Sequence, residues 1–138
     1  MKKLKNKGFT LIELMVVILI VGILGAVAIP KFMAASHKAK ASEFPTVLSS
    51  IYTAEHAYQA ESGSYSNDFA TIDIDPGTVQ SQWFVYSIPT ATTSTFVAQA
   101  AVTTAFGKAQ SGQTAQINQS GQKTVEAGLS DYAKTWHN

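Results

Sequence analysis

Apolar side chains run almost unbroken from Phe9 to Ile29, interrupted only by Thr10 and Glu13. At about 1.5 Å of rise per residue this run makes roughly 31 Å of helix, the thickness of a bilayer's hydrocarbon core. The pattern therefore predicts a membrane-spanning helix over residues 9–30. Within it, Gly22 and Gly25 weaken the helix, and Pro30 removes a backbone donor and predicts a bend. Beyond Pro30 the pattern becomes amphipathic. Phe44, Val47, Leu48, Ile51, Glu55 and Tyr58 recur at helical spacing, apolar apart from Glu55, while Lys38, Lys40, Glu43 and Gln59 suit wet faces. Residues 31–60 thus form a second, amphipathic helical stretch. Pro45 lies inside it; we expect a second bend there in preference to a helix restarted with Pro45 in its first turn. A helix from Phe9 to Ala60 would be about 78 Å long.

Periodicity changes again after residue 60. The stretch 61–82 is rich in Ser, Asn, Asp and Gly and carries the turn signal Asp75-Pro76-Gly77, which predicts a connector. Tyr65, Phe69, Ile72 and Ile74 are its anchors to a core. From Trp83 to Ile88 apolar residues alternate, as do Phe96, Ala98, Ala100 and Val102. Ala115 and Ile117, then Val125 and Ala127, give a weaker hairpin around Ser120-Gly121. The turns between these strands, PTATTSTF and TTAFGKAQSGQ, are polar. Residues 83–138 are therefore an antiparallel meander with a tail in which Leu129 to Asn138 forms a last helical turn and Trp136 is available for docking. The fold class is α+β: a long amino-terminal helix packed on a small antiparallel sheet.

Charge gives the helix a direction. Lys2, Lys3, Lys5 and Lys7 precede the apolar run, and a short basic flank is retained on the cytoplasmic side, so the residues after Pro30 are expected outside. The apolar run is longer than a secretory signal core, and Gly8, the one plausible break, lies ahead of it. There are ten lysines, no arginine and nine acids among 138 residues; loss of residues 1–8 leaves six lysines against nine acids. A mildly acidic product gives no general electrostatic reason to bind phosphate, and no direct nucleic-acid binding is expected. The chain has no cysteine, which removes disulfides, thiolate metal sites and a lipid-anchored thiol.

Glu13 is the conspicuous residue. A carboxylate within a membrane helix is costly and calls for a partner, although one placed a turn from the helix start is tolerated near the headgroups. The stretch GFTLIEL behind a lysine-rich leader resembles the amino-terminal signature of the type IV pilin family, which includes the pseudopilins of type II secretion. The resemblance is specific over Lys7 to Phe32. It implies a prepilin peptidase that cuts between Gly8 and Phe9, N-methylation of Phe9, and pairing of Glu13 with the terminal amine on Phe9 of another copy. Residues 1–8 would then be a leader peptide and residues 9–30 a polymerisation helix. The implied partners are copies of the chain itself, the peptidase, and an assembly ATPase with its inner-membrane platform. The implied setting is a bacterial inner-membrane precursor that becomes an extracellular pilus fibre. Many members close a carboxy-terminal loop with a disulfide; this sequence departs from that pattern.

Other chemistry is sparse. Gly22 and Ala26 have the small-xxx-small spacing of close helix contacts, which fits the general frequency of small residues in membrane helices equally well. His37, His56 and His137 have no metal-ligand spacing, and neither a phosphate loop nor a nucleophile elbow occurs, so no enzyme activity, metal or cofactor is expected. Asp68, Asp73 and Asp75 read as turn residues in preference to a calcium site. Asn118-Gln119-Ser120 matches a glycosylation triplet but is read as turn chemistry. The favoured function is a structural pilus subunit with roles in adhesion, motility or DNA uptake. A type II secretion pseudopilin and a membrane-tethered extracytoplasmic binding module remain as alternatives.

Overall fold

The structure, a computed structural model, describes residues 8–134 and Trp136. The basic flank at Lys2, Lys3, Lys5 and Lys7, and His137, lie outside the described residues. The chain divides after Ser36 into two compact units.

The first unit is the apolar part of helix α1 (Leu11–Ala41). No residue from Gly8 to Ser36 is buried, and side chains such as Leu11, Ile18 and Ile29 are each more than half exposed. Helix continues through Gly22, Gly25 and Pro30 without a break.

The second unit holds the core. Helix α2 (Glu43–Ser62) starts one residue after α1 ends, with Ser42 between them. Pro45 therefore lies in the first turn of α2, yet Ser42 keeps helical dihedrals and donates its amide to Lys38 O at 3.1 Å, so the helix carries through this point with a local irregularity. The amide that Pro45 lacks falls at this irregularity. At the other end Gly63 takes a left-handed conformation (φ 76°) and donates its amide to Gln59 O at 2.9 Å. A side chain would strain this turn.

Four strands follow: β1 (Phe84–Ala91), β2 (Phe96–Val102), β3 (Thr114–Asn118) and β4 (Lys123–Val125). They pair antiparallel in chain order, the meander expected from the alternation. The buried faces match that alternation: Phe84, Tyr86 and Ile88 on β1; Phe96, Ala98, Ala100 and Val102 on β2; Ala115 and Ile117 on β3. Against them α2 packs Phe44, Val47, Leu48 and Ile51, all buried. Ala100 and Ala115 are register partners, and small side chains at such positions let a helix lie close to the sheet. Strand β1 extends past Ile88 to Ala91 with a register shift between Ser87 and Thr90. Pro89 falls in this irregularity on an edge strand, where a missing amide is tolerated.

Several local expectations change. Ala127 is not a strand residue; it opens the short helix α4 (Ala127–Ser130). The connector contains another short helix, α3 (Pro76–Val79), capped by Asp75, whose carboxylate accepts from Gly77 N at 2.7 Å. Asp68 accepts from Ala70 N and Thr71 Oγ1, which accounts for that residue as turn chemistry. Lys40 and Glu43 are not on wet faces. Lys40 Nζ lies 4.1 Å above the Trp83 ring and donates to Phe106 O at 3.3 Å, and Glu43 accepts from Tyr86 Oη at 3.1 Å. The polar-looking turn between β2 and β3 contributes Phe106, only 1% exposed, to the core. Trp136 is also buried, edge-on to Phe44 at 5.2 Å, so the tail does dock.

Candidate functional site

The sequence around Glu13 folds as a reciprocal helix cap. Thr10 precedes the first residue of α1, and three positions on stands Glu13, the Thr-x-x-Glu spacing of a capping box. Glu13 N donates to Thr10 Oγ1 at 3.3 Å. In return Glu13 Oε2 accepts from Thr10 N at 2.9 Å and Thr10 Oγ1 at 2.7 Å. The carboxylate also sits in the first turn, where the partial positive charge of the helix favours an anion.

Glu13 thus has a partner within its own chain, which the sequence reading did not foresee although the spacing was in view. The cap uses one oxygen. Oε1 makes no hydrogen bond to any described residue and is open to a donor from elsewhere. Phe9, beside it in sequence, is 86% exposed.

The glycines carry a second observation. A Cβ built on Gly8, Gly22 or Gly25 meets no atom within 4 Å. Internal packing therefore does not call for glycine at these positions. Gly107 and Gly128, in contrast, lie against the side chains of Gln110 and Gln113, which a Cβ would force to move. A shallow apolar groove of about 740 Å³ runs along α1 past Met15, Leu19, Gly22 and Ala26, the small-xxx-small pair.

Glu55 is the other acid with an unusual setting. It is fully buried on the inner face of α2; Oε2 accepts from Ser66 N at 3.0 Å, and Oε1 has no partner among the described residues. Burial pushes its pKa above the ordinary carboxylate value, partly offset by the Ser66 amide and the neighbouring His56. Its bond to Ser66 ties the start of the connector to the helix. Nearby His56 Nε2 lies 3.1 Å from Gln119 O, so the ring donates and links α2 to the β3–β4 turn. Tyr86 is held protonated far above its usual range by burial and by Glu43. These groups hold the fold together and do not converge on a cleft.

Comparison with known proteins gives the amino-terminal region a context. Residues 3–29 match the model of the prokaryotic N-terminal methylation motif. The chain is 50% identical over 66 residues to the type IV major pilin protein PilA of Myxococcus xanthus, covering 48% of this chain and 30% of that protein. It is 39% identical over 66 residues to the type IV wide pilus major component PilA4 of Thermus thermophilus, covering 48% and 50%. It is 44% identical over 63 residues to the type IV major pilin protein PilE of Neisseria gonorrhoeae, covering 46% and 38%. The matched stretches span half or less of the length of these relatives.

Proposed function

We propose that this chain, for which the methylation motif and the similarity to type IV major pilins support the type IV pilin family, is a structural subunit of a type IV pilus. It is held in the inner membrane as a precursor, cut between Gly8 and Phe9, and assembled through α1 into an extracellular fibre. The observation that carries this reading is an exposed apolar helix, opening with the Phe9-Thr10-x-x-Glu13 cap, attached to a domain whose core is complete without it. Exposed apolar surface on this scale marks a membrane or protein contact. The relatives are pilus components, which favours the pilus over the secretion pseudopilin and the tethered module.

The cap suggests how Glu13 serves assembly. Thr10 pins Oε2 against the helix start, which fixes the carboxylate and leaves Oε1 open to the terminal amine of Phe9 on another copy. In a low-dielectric surrounding such a pair is strong, and either charge left alone is costly. Gly8 suits the peptidase because it offers no side chain to obstruct the cut. Gly22, Gly25 and Pro30 give the span its capacity to loosen during packing. The peptidase, the assembly ATPase and its platform belong to this proposal as partners.

Mass measurement of the protein from its source cells tests the reading. An amino terminus beginning at methylated Phe9, together with fibres on the cell surface, is the expected result. An intact leader on a protein that forms no fibre overturns it.

A further inference from the structure

Charge in the second unit is uneven along the sequence: Glu126 and Asp131 stand among Lys108, Lys123 and Lys134, whereas an earlier stretch carries acids alone. From Ala41 to Gly107 there are six acids and no lysine. Glu55 is buried and Glu43 is bonded to Tyr86, which leaves Glu61, Asp68, Asp73 and Asp75 exposed. Asp68 and Asp75 serve their own turns. Glu61 and Asp73 do not, and both line one groove of about 1020 Å³ along the outer side of α2. Its floor is short and polar, built from Thr46, Ser49, Ser50, Thr53 and Ala57, which spans about 16 Å of helix. Tyr58 lines the same groove, beside this strip of short side chains.

A matching surface exists on α1. Lys31, Ala34, Ala35 and Lys38 follow i, i+3, i+4, i+7 spacing and so share one helix face, and all four are exposed. Two cations thus flank a small alanine surface, and two acids flank a small hydroxyl surface. The two surfaces carry opposite charge and short side chains between their charged residues.

Resting on the assembly reading above, we propose that the Glu61–Asp73 groove of one copy receives the Lys31–Lys38 face of α1 from a second copy. Exposed ion pairs add little affinity singly, but they set register and reject wrong pairings when charges of one sign are brought together. The groove is therefore a register-setting contact between subunits, separate from the pairing at Glu13.

The test uses the full-length chain in cells. Glu61→Lys with Asp73→Lys is expected to lower fibre yield at least about tenfold, and adding Lys31→Glu with Lys38→Glu to restore it to within about threefold of the parent. Unchanged yield after the first reversal overturns the proposal, as does failure of the swap to restore it. Because the chain has no cysteine, a second measurement is clean even if a reversal harms folding. Asp73→Cys and Lys38→Cys carried on separate chains and co-expressed should form a mixed disulfide between copies under mild oxidation. Fibres without that cross-link overturn the groove contact and leave the assembly reading standing; a cross-link without fibres in the parent strain supports the contact and overturns the assembly reading; absence of both overturns the two together.

Discussion

At the scale of single residues, Glu13 caps the start of α1, and conservative substitutions separate that duty from the assembly role proposed for it. Glutamine can still accept from Thr10 N and complete a capping box, but it carries no charge for an incoming amine. Glu13→Gln is therefore expected to keep the helix start while fibre yield falls sharply. Thr10→Ala leaves the charge and removes the hydroxyl, so it should fray the first turn, by about 1 kcal/mol of helix stability, with a smaller loss of fibres. Fibre yield for the two variants, with membrane fractionation as the control, checks this; normal assembly of Glu13→Gln would make the cap alone the reason for the acid. Glu55 yields a pH prediction of definite sign. Its pKa is raised in the folded state, so the folded chain holds its proton to higher pH than the unfolded chain does. The contribution is present in full below the ordinary value of 4.5 and is lost as pH rises through the raised folded value. Glu55→Gln, which can still accept from Ser66 N, should flatten the dependence of the unfolding midpoint on pH and raise the midpoint at neutral pH. Of these two acids, the sequence singled out the first by its isolation in an apolar run. It gave the second no more than a place on a helix face, because the Ser66 amide that holds it comes from a connector whose path no periodicity encodes.

At the scale of elements, the regular parts were legible and the irregular parts were not. Burial of Phe44, Val47, Leu48 and Ile51, and of alternate residues on β1 and β2, follows from periods of 3.6 and 2 that a chain must obey to bury one face. Phe106 had no period to announce it. It sits in a polar turn, yet its ring packs 5.1 Å from His37, 5.5 Å from Phe84 and 6.1 Å from Tyr132, and its carbonyl takes the Lys40 ammonium. The turn is thereby an element of the core, clamping the end of α1 to β1. The one sequence signal was a lone large aromatic among small polar neighbours. Phe106→Ala is expected to destabilise the domain by about 3–5 kcal/mol, the usual range for emptying a buried aromatic site, measured by denaturant unfolding. A smaller loss, near that of a surface substitution, would mean that the turn is not part of the core. The proline near the junction of α1 and α2 was legible as an irregularity in a long helix. Ser42, three residues before Pro45, keeps helical dihedrals and donates its amide to Lys38 O at 3.1 Å, so the irregularity expected of the proline falls within a helix that carries on.

At the scale of the whole chain, burial assigns the two units different debts to their surroundings. The residues from His37 onward supply every member of the core, from Ala41 to Trp136, while the apolar helix up to Ser36 supplies none. Folding of the domain and burial of the helix are therefore separable events, the first satisfied within one chain and the second only by lipid, detergent or other copies. A fragment beginning at Ser36 should be soluble without detergent, keep the α+β circular dichroism of the domain, and melt within a few degrees of the intact protein held in detergent. The intact protein, deprived of detergent, should associate. A fragment that unfolds or melts far lower would mean that α1 before Ser36 stabilises the sheet, and the separation of the two units would fail. If the fragment behaves as expected, the apolar helix up to Ser36 has no structural task in folding its own chain, and the burial of its apolar surface falls to contacts outside it.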